Sequence, residues 1–167
     1  MKKWMYSLLI VTVAMWGYSC GDSSTGNDDE DNEAIVGTWL SQGATHVALG
    51  LQQLTKTAKI DAVFEANATY SVIATDSTGA EVTYEGTYVL GEETVSGTRT
   101  ITLTQTAPTS VTSAGIYEIN GTTLMYEVIQ TSPDIGATAP NTDDGFGSTL
   151  VGGVSYGTYW TQTFVKQ

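Results

Sequence analysis

A single cysteine, a single histidine and six basic residues in a chain of 167 set the first limits. Cys20 has no partner for an internal disulfide, so the folded part must hold together by its core alone. With His46 as the one histidine, a histidine-based triad or a multi-histidine metal cluster lacks members. Basic residues thin out along the chain. After Ser19 only Lys56, Lys59, Arg99 and Lys166 stand against all 18 acids, which leaves residues 20–167 with a formal charge of −14. Such a surface repels phosphate backbones and anionic headgroups, and no nucleic-acid partner is expected. Long apolar runs are missing too. Trp4 to Tyr18 has 15 residues, short of the roughly 20 that cross a bilayer, and no later segment is apolar enough to try.

That short run has the anatomy of an export signal. Met1-Lys2-Lys3 supplies a positive start, Trp4 to Trp16 an apolar middle, and Gly17-Tyr18-Ser19-Cys20 small residues around the cysteine, so residues 1–19 are expected to be a signal peptide. The position of Cys20 resembles the lipobox of bacterial lipoproteins, although Gly17 stands where such boxes usually carry an aliphatic residue and Tyr18 where they carry a small one. The resemblance implies cleavage before Cys20, lipidation of Cys20, and a protein anchored in the bacterial cell envelope, expected at the outer membrane on its periplasmic or surface side. The same residues also admit a secreted protein with a free thiol, or an uncleaved anchor.

Residues 20–34 read as an acidic spacer. Asp22, Asp28, Asp29, Glu30, Asp31 and Glu33 lie among Ser, Thr, Asn and Gly with nothing apolar to bury, which predicts a disordered, self-repelling tether. Acidic residues behind a lipidated cysteine also resemble surface-export signals of some Gram-negative lineages.

From residue 35 to 167 the composition changes to that of an all-β domain. The chain holds 28 threonines, and β-branched and aromatic runs are broken by Gly, Asn and Ser at short intervals. Eight strands are predicted: Ile35 to Leu40, Lys59 to Ala66, Thr69 to Thr75, Val82 to Leu90, Arg99 to Gln105, Ile116 to Asn120, Thr122 to Gln130 and Gly157 to Val165. In Arg99 to Gln105 the apolar Ile101 and Leu103 alternate with Thr100, Thr102 and Thr104, giving one dry and one wet face. Asn120-Gly121 predicts a two-residue type I′ hairpin. One short helix is expected after the first strand, capped by Thr45, with Val47, Leu51, Leu54 and Ala58 on one stripe; Gly50 costs it about 1 kcal/mol relative to alanine. Consecutive antiparallel strands suit an eight-stranded up-and-down barrel or a two-sheet sandwich. Few charges are available to blunt an open edge, which favours the barrel.

Ile35-Val-Gly-Thr-Trp39 resembles the Gly-x-Trp opening of lipocalins. Phe64-Glu-Ala-Asn-Ala-Thr-Tyr70 is similar to the Phe-x-x-Asn/Asp-Gly-Thr-Tyr hairpin of lipocalin-like domains on bacterial lipoproteins, and Gly86-Thr-Tyr88 and Ile101-Thr-Leu-Thr104 resemble their next strands. The resemblance implies a calyx open at one end that often holds a small hydrophobic molecule, with Gly37 and Trp39 in structural roles at the closed end. Ala68 departs from the pattern, standing where the family usually has glycine. A left-handed backbone there would strain alanine, so the turn is expected to place Asn67 in that conformation instead.

Candidate site residues follow from this calyx. Tyr70, Tyr84, Tyr88 and Tyr126, with Phe146, would give apolar walls with hydroxyls to orient a ligand; ordinary cross-strand packing is the competing reading of the same tyrosines. Thr131 to Ser155 is too long for a simple connection and carries Ile135, Phe146, Leu150 and Val151, which suggests a lid over the mouth. Catalytic residues, a metal site and a cofactor are not expected. Asp143-Asp144-Gly145 lacks the alternating ligands of a calcium loop, and the adjacent Glu92 and Glu93 point apart.

The chain is therefore expected to be a membrane-anchored, non-catalytic lipoprotein whose lipocalin-like barrel binds a small hydrophobic or amphipathic ligand. The alternative is a ligand-free structural or interaction module of the envelope, and protein partners stay unassigned. Two or three acyl chains at about 0.8 kcal/mol per buried methylene hold a protein stably on a membrane. Cys20→Ala is accordingly expected to move the protein from washed membranes to the soluble fraction on immunoblots. Retention in the membranes would remove the lipoprotein assignment.

Overall fold

The computed structural model describes residues 34–167. The signal segment 1–19, Cys20 and the acidic spacer up to Glu33 lie outside the described residues. Seven strands follow one another as antiparallel neighbours: β1 (Gly37–Gln42), β2 (Thr57–Phe64), β3 (Thr69–Asp76), β4 (Glu81–Glu93), β5 (Thr98–Ala107), β6 (Val111–Asn120) and β7 (Thr123–Ser132). A separate three-stranded sheet then forms from β8 (Ala137–Thr138), β9 (Leu150–Val151) and β10 (Val154–Ser155). After a 3-10 helix at Gly157–Trp160, β11 (Gln162–Lys166) enters between β7 and β1 and closes an eight-stranded barrel. Closure pairs every strand on both sides and leaves no barrel edge to protect.

Alternation positions the core. In β5, Ile101 and Leu103 are buried while Thr100, Thr102 and Thr104 face solvent. The barrel departs from the expected strands in two places. β6 starts at Val111 rather than Ile116; its Ser113-Ala114-Gly115 stretch has weak strand propensity, but it is held between β5 and β7. Gly115 is required there, because a Cβ would overlap the Glu127 carbonyl oxygen of β7. The expected strand Gly157 to Val165 splits, with Gly157–Trp160 turning as a 3-10 helix before extended backbone resumes at Gln162. A short α-helix, α1 (Leu49–Leu54), lies after β1 as expected but is shorter than its apolar stripe. Thr45 does not cap it: the N-cap is Ala48, which makes no side-chain capping bond. Lys56, at φ 58°, ends it, and Leu54 is exposed.

One end of the barrel is filled. Ile35 and Trp39 are fully buried, and the Trp39 indole donates to the Ile35 carbonyl at 2.7 Å, which pins the incoming chain across the base. Tyr88, Ile101, Tyr117 and Leu124 complete this plug. Fully burying a large apolar side chain contributes on the order of 1.5–3 kcal/mol, so the plug is a main source of cohesion. Gly37 has φ 132°, and a Cβ there would come within 3.1 Å of Lys166 Cε. Both ends of the described chain meet at this pole: Gly37 pairs with Phe64, and the Gln167 amide donates to the Thr38 carbonyl at 2.9 Å.

Two turns at the closed pole differ from expectation. Asn120 pairs with Thr123, so the β6–β7 hairpin loop is Gly121-Thr122, with Gly121 alone at positive φ (60°). That places glycine first in the loop, as a type II′ turn requires, instead of the Asn-Gly type I′ arrangement. In the β2–β3 turn Ala68 itself takes the left-handed conformation, at φ 62°. The expected substitution of Asn67 in that role does not occur, because Asn67 Oδ1 accepts from the amide and hydroxyl of Thr69. The Ala68 carbonyl meanwhile accepts from the Tyr88 amide at 2.9 Å, which fixes the turn against β4. Left-handed alanine costs about 1–2 kcal/mol, partly offset by the greater unfolded-state freedom of glycine. Ala68→Gly is thus expected to stabilise the protein by about 0.5–1 kcal/mol, read as a higher melting temperature. A lower one would mean the turn is not strained.

Candidate functional site

The opposite half of the barrel is hollow. A cavity of about 470 Å³ extends down from the mouth, within the roughly 300–1,000 Å³ of small-molecule sites. Its floor is aromatic: Phe64, Tyr70, Tyr126 and Phe164, with Tyr126 edge-on to Phe164 at 5.9 Å between ring centres. Aliphatic residues of β2, β3 and β7 form the walls, and Thr57, Gln105, Ser113 and Gln130 add neutral polar groups toward the rim. Among the described residues no charged side chain lines it.

The mouth is roofed by α1 and the 3-10 helix. Leu51 from the first, Thr55 at its C-terminal cap and Trp160 from the second line the cavity. Gly50 explains how they meet, since a Cβ there would overlap the Trp160 ring. The glycine that weakens this helix locally is what lets an indole lie on its backbone. Tyr159 adds a hydrogen bond to Gln53 Oε1 at 2.9 Å and packs edge-on to Trp160, and the Thr163 amide donates to the His46 carbonyl at 2.9 Å.

Residues 131–155, expected as a lid, contribute nothing to the cavity lining. Thr131 and Ser132 end β7, and the residues after them pack outside the barrel. Along β7, Tyr126 and Val128 line the cavity, so Glu127 between them points outward, yet it is fully buried. Its carboxylate accepts from the Gly147 amide at 2.6 Å, the Thr149 amide at 3.1 Å, the Thr149 hydroxyl at 2.6 Å and the Thr161 hydroxyl at 2.7 Å. Four donors satisfy a charge that would otherwise be costly to bury. The long segment is thereby stitched to the wall, and Ile135 remains exposed.

Of the residues expected to contact ligand, Tyr70, Tyr84 and Tyr126 line the cavity. Tyr88 and Phe146 do not. Tyr88 belongs to the closed end, where its hydroxyl donates to the Glu65 carbonyl at 2.8 Å and its ring meets Phe64 edge-on at 5.3 Å. Phe146 is half-buried in the outer segment. Gly37 and Trp39 lie at the base, away from the cavity. Trp160 and Gln162 are among the lining residues that the sequence expectations did not include. Trp160 and Gln162 each carry a buried nitrogen, Nε1 and Nε2, without a hydrogen-bond partner. The only sequence signal for them was the alternation Trp160, Gln162, Phe164, which reads as any strand would.

Among the described residues no group of three or more His, Cys, Asp or Glu side chains is gathered to hold a metal ion. Asp143 and Asp144 instead form a turn closed by Asn141, whose Oδ1 accepts from both their amides. No family model, curated protein or solved structure matches this chain. What the site defines is therefore a class by geometry alone: a closed eight-stranded barrel with an apolar, uncharged, roofed cavity.

Burial raises the Tyr126 hydroxyl far above the ordinary tyrosine value, with a smaller contribution from Tyr70, itself raised by burial. Tyr126 has some exposed surface, but that surface faces the cavity. The folded protein thus keeps protons that the unfolded chain loses near pH 10, so stability is intact below about pH 10 and falls as pH rises beyond it. Tyr126→Phe is expected to make the urea midpoint decline less steeply between about pH 9.5 and 11.5. Equal slopes in the two proteins would place this hydroxyl in contact with bulk water.

Proposed function

We propose that the protein is a membrane-anchored bacterial lipoprotein, resembling the lipocalin-like lipoproteins, whose barrel takes up a small hydrophobic or amphipathic ligand without transforming it. The observation that carries this reading is the cavity of about 470 Å³ with an aromatic floor and no charged lining residue. Apolar walls favour transfer of apolar surface from water at roughly 25 cal/mol per Å². The neutral polar groups near the rim suit a ligand whose less apolar end stays close to the mouth. An interaction module with a barrel filled by its own side chains would leave no such space, which weighs against that alternative.

Ala74 lines the upper wall, and a tryptophan there would occupy the cavity from one side. The whole protein is expected to take up a neutral polarity-sensitive dye with a blue shift in emission. Ala74→Trp, with an unchanged circular dichroism spectrum, is expected to weaken uptake at least tenfold. A wild-type protein that takes up no dye, and that carries no co-purifying small molecule in its native mass spectrum, would replace this reading with the interaction module.

A further inference from the structure

We propose that Tyr70 and Tyr126 form a polar clamp at the floor of the cavity, which holds an uncharged hydroxyl or carbonyl group at the innermost end of an otherwise apolar ligand. This inference rests on the ligand-binding reading above, and it adds the chemical class of the ligand and the direction in which it lies. The observation behind it is a pair of hydroxyls that open on the cavity and bond to nothing. Tyr70 and Tyr126 both line that space. Neither hydroxyl has a hydrogen-bond partner among the described residues, and, unlike Trp160 Nε1 and Gln162 Nε2, neither is shut off from accessible space. The accessible space lies inside the barrel. Tyr70 alternates inward with Val72 and Ala74 on β3, and Tyr126 with Val128 and Gln130 on β7, all of them in the lining. A tyrosine hydroxyl is the part of its side chain farthest from the wall.

Topology makes the two rings converge. Around the closed barrel β3 and β7 are four strands apart in either direction, so they form opposite walls. Burial raises both hydroxyls above the ordinary tyrosine value, and Tyr70 raises Tyr126 further, as expected of groups that share one enclosed, poorly hydrated space. Phe64 packs on the Tyr70 ring at 6.4 Å between centres and Phe164 on Tyr126 at 5.9 Å, which holds both rings independently of any ligand. A clamp fixed before binding loses little freedom when the ligand arrives.

The chemistry of the pair sets the polarity of what it binds. A phenol both donates and accepts, so it suits an alcohol or a carbonyl equally. A plain hydrocarbon reaching the floor would displace water from both hydroxyls and return no hydrogen bond, whereas a hydroxyl or carbonyl restores what the water gave. Charge is disfavoured, because among the described residues no acidic or basic side chain lines the cavity to pair with an ammonium or a carboxylate brought out of water. Ile60, Val72 and Val128 enclose the apolar part, and Gln105 and Gln130 at the rim are left for a second polar atom at the outer end.

Four probes of one chain length separate the possibilities: 1-nonanol, nonane, nonanoate and nonylammonium. Each competes with a neutral dye for the full chain in phospholipid nanodiscs, with empty nanodiscs as the partitioning reference. Tyr70→Phe and Tyr126→Phe keep the rings and break no bond to the protein, so both variants should melt no lower than the wild type at neutral pH. Each is expected to weaken 1-nonanol by about threefold to tenfold, and the double variant by more, while nonane binds equally well or tighter. Gln130→Leu, at the rim, is expected to leave 1-nonanol unchanged. Nonanoate and nonylammonium at neutral pH are expected to bind more weakly than the alcohol. Equal effects of the tyrosine variants on alcohol and alkane, loss of the alcohol with Gln130→Leu but not with the tyrosine variants, or tighter binding of either ion would overturn the clamp while leaving a ligand-binding barrel. Failure of every probe and of the dye on the wild-type protein would remove the ligand-binding reading itself.

Discussion

The open half of this protein is organised by one buried carboxylate. Glu127 sits on the outer side of β7, yet it is sealed from water by the segment that it anchors. Its oxygens gather the Gly147 and Thr149 amides and two threonine hydroxyls, drawing in 29 residues that leave the barrel after Ser132 and return at Gln162. The last of those bonds is to Thr161, between the indole and the amide at the top of the cavity. Removing one partner from such a cluster leaves a charge buried and short of donors, a change that commonly costs several kcal/mol. The geometry of the roof is therefore set from outside the wall.

The two halves divide the work of the fold. The closed half spends its aromatic and aliphatic side chains on packing, with Trp39, Tyr88 and Tyr117 buried. In the other half the same inward alternation delivers side chains that stop short of one another, and space remains between them. Stability and capacity are separated along the barrel axis, so a cavity large enough for a small molecule does not open the core that holds the cylinder together. The unmet donors at Trp160 and Gln162 fit this division, because a destabilising feature is tolerable where the rest of the structure does not depend on it.

Much of the barrel was legible in the sequence. Strand number, order and the position of the helix follow from threonine-rich alternation and turn residues. Where the reading failed, tertiary contacts had overruled local signals. Asn120-Gly121 marks a hairpin, but the register that pairs Asn120 with Thr123 is set by two whole strands and moves the loop by one residue. Ala68 keeps a strained conformation because Tyr88, twenty positions later, bonds to it. The site was less legible than the fold. Three of the five expected ligand residues line the cavity, since tyrosines at inward strand positions carry their own signal; Tyr88 has the same signal, but lies past the floor. Glu127 gave none, because an outward glutamate on a strand looks like any solvated one until the loop that covers it is in place. Trp160 was hidden inside an apparent strand, and the partner that makes sense of it is a glycine 110 residues earlier.

Both ends of the described chain meet at the plugged base, with Ile35 locked into the core and Gln167 bonded beside Thr38. Everything that precedes residue 34 is therefore joined to the pole farthest from the mouth. Tension along that leader would load the base and its best-packed side chains, leaving the roof helix and the rim unstrained. Whatever is joined to the chain through residue 34 is attached at the pole opposite the mouth, and leaves that opening unobstructed by the point of attachment.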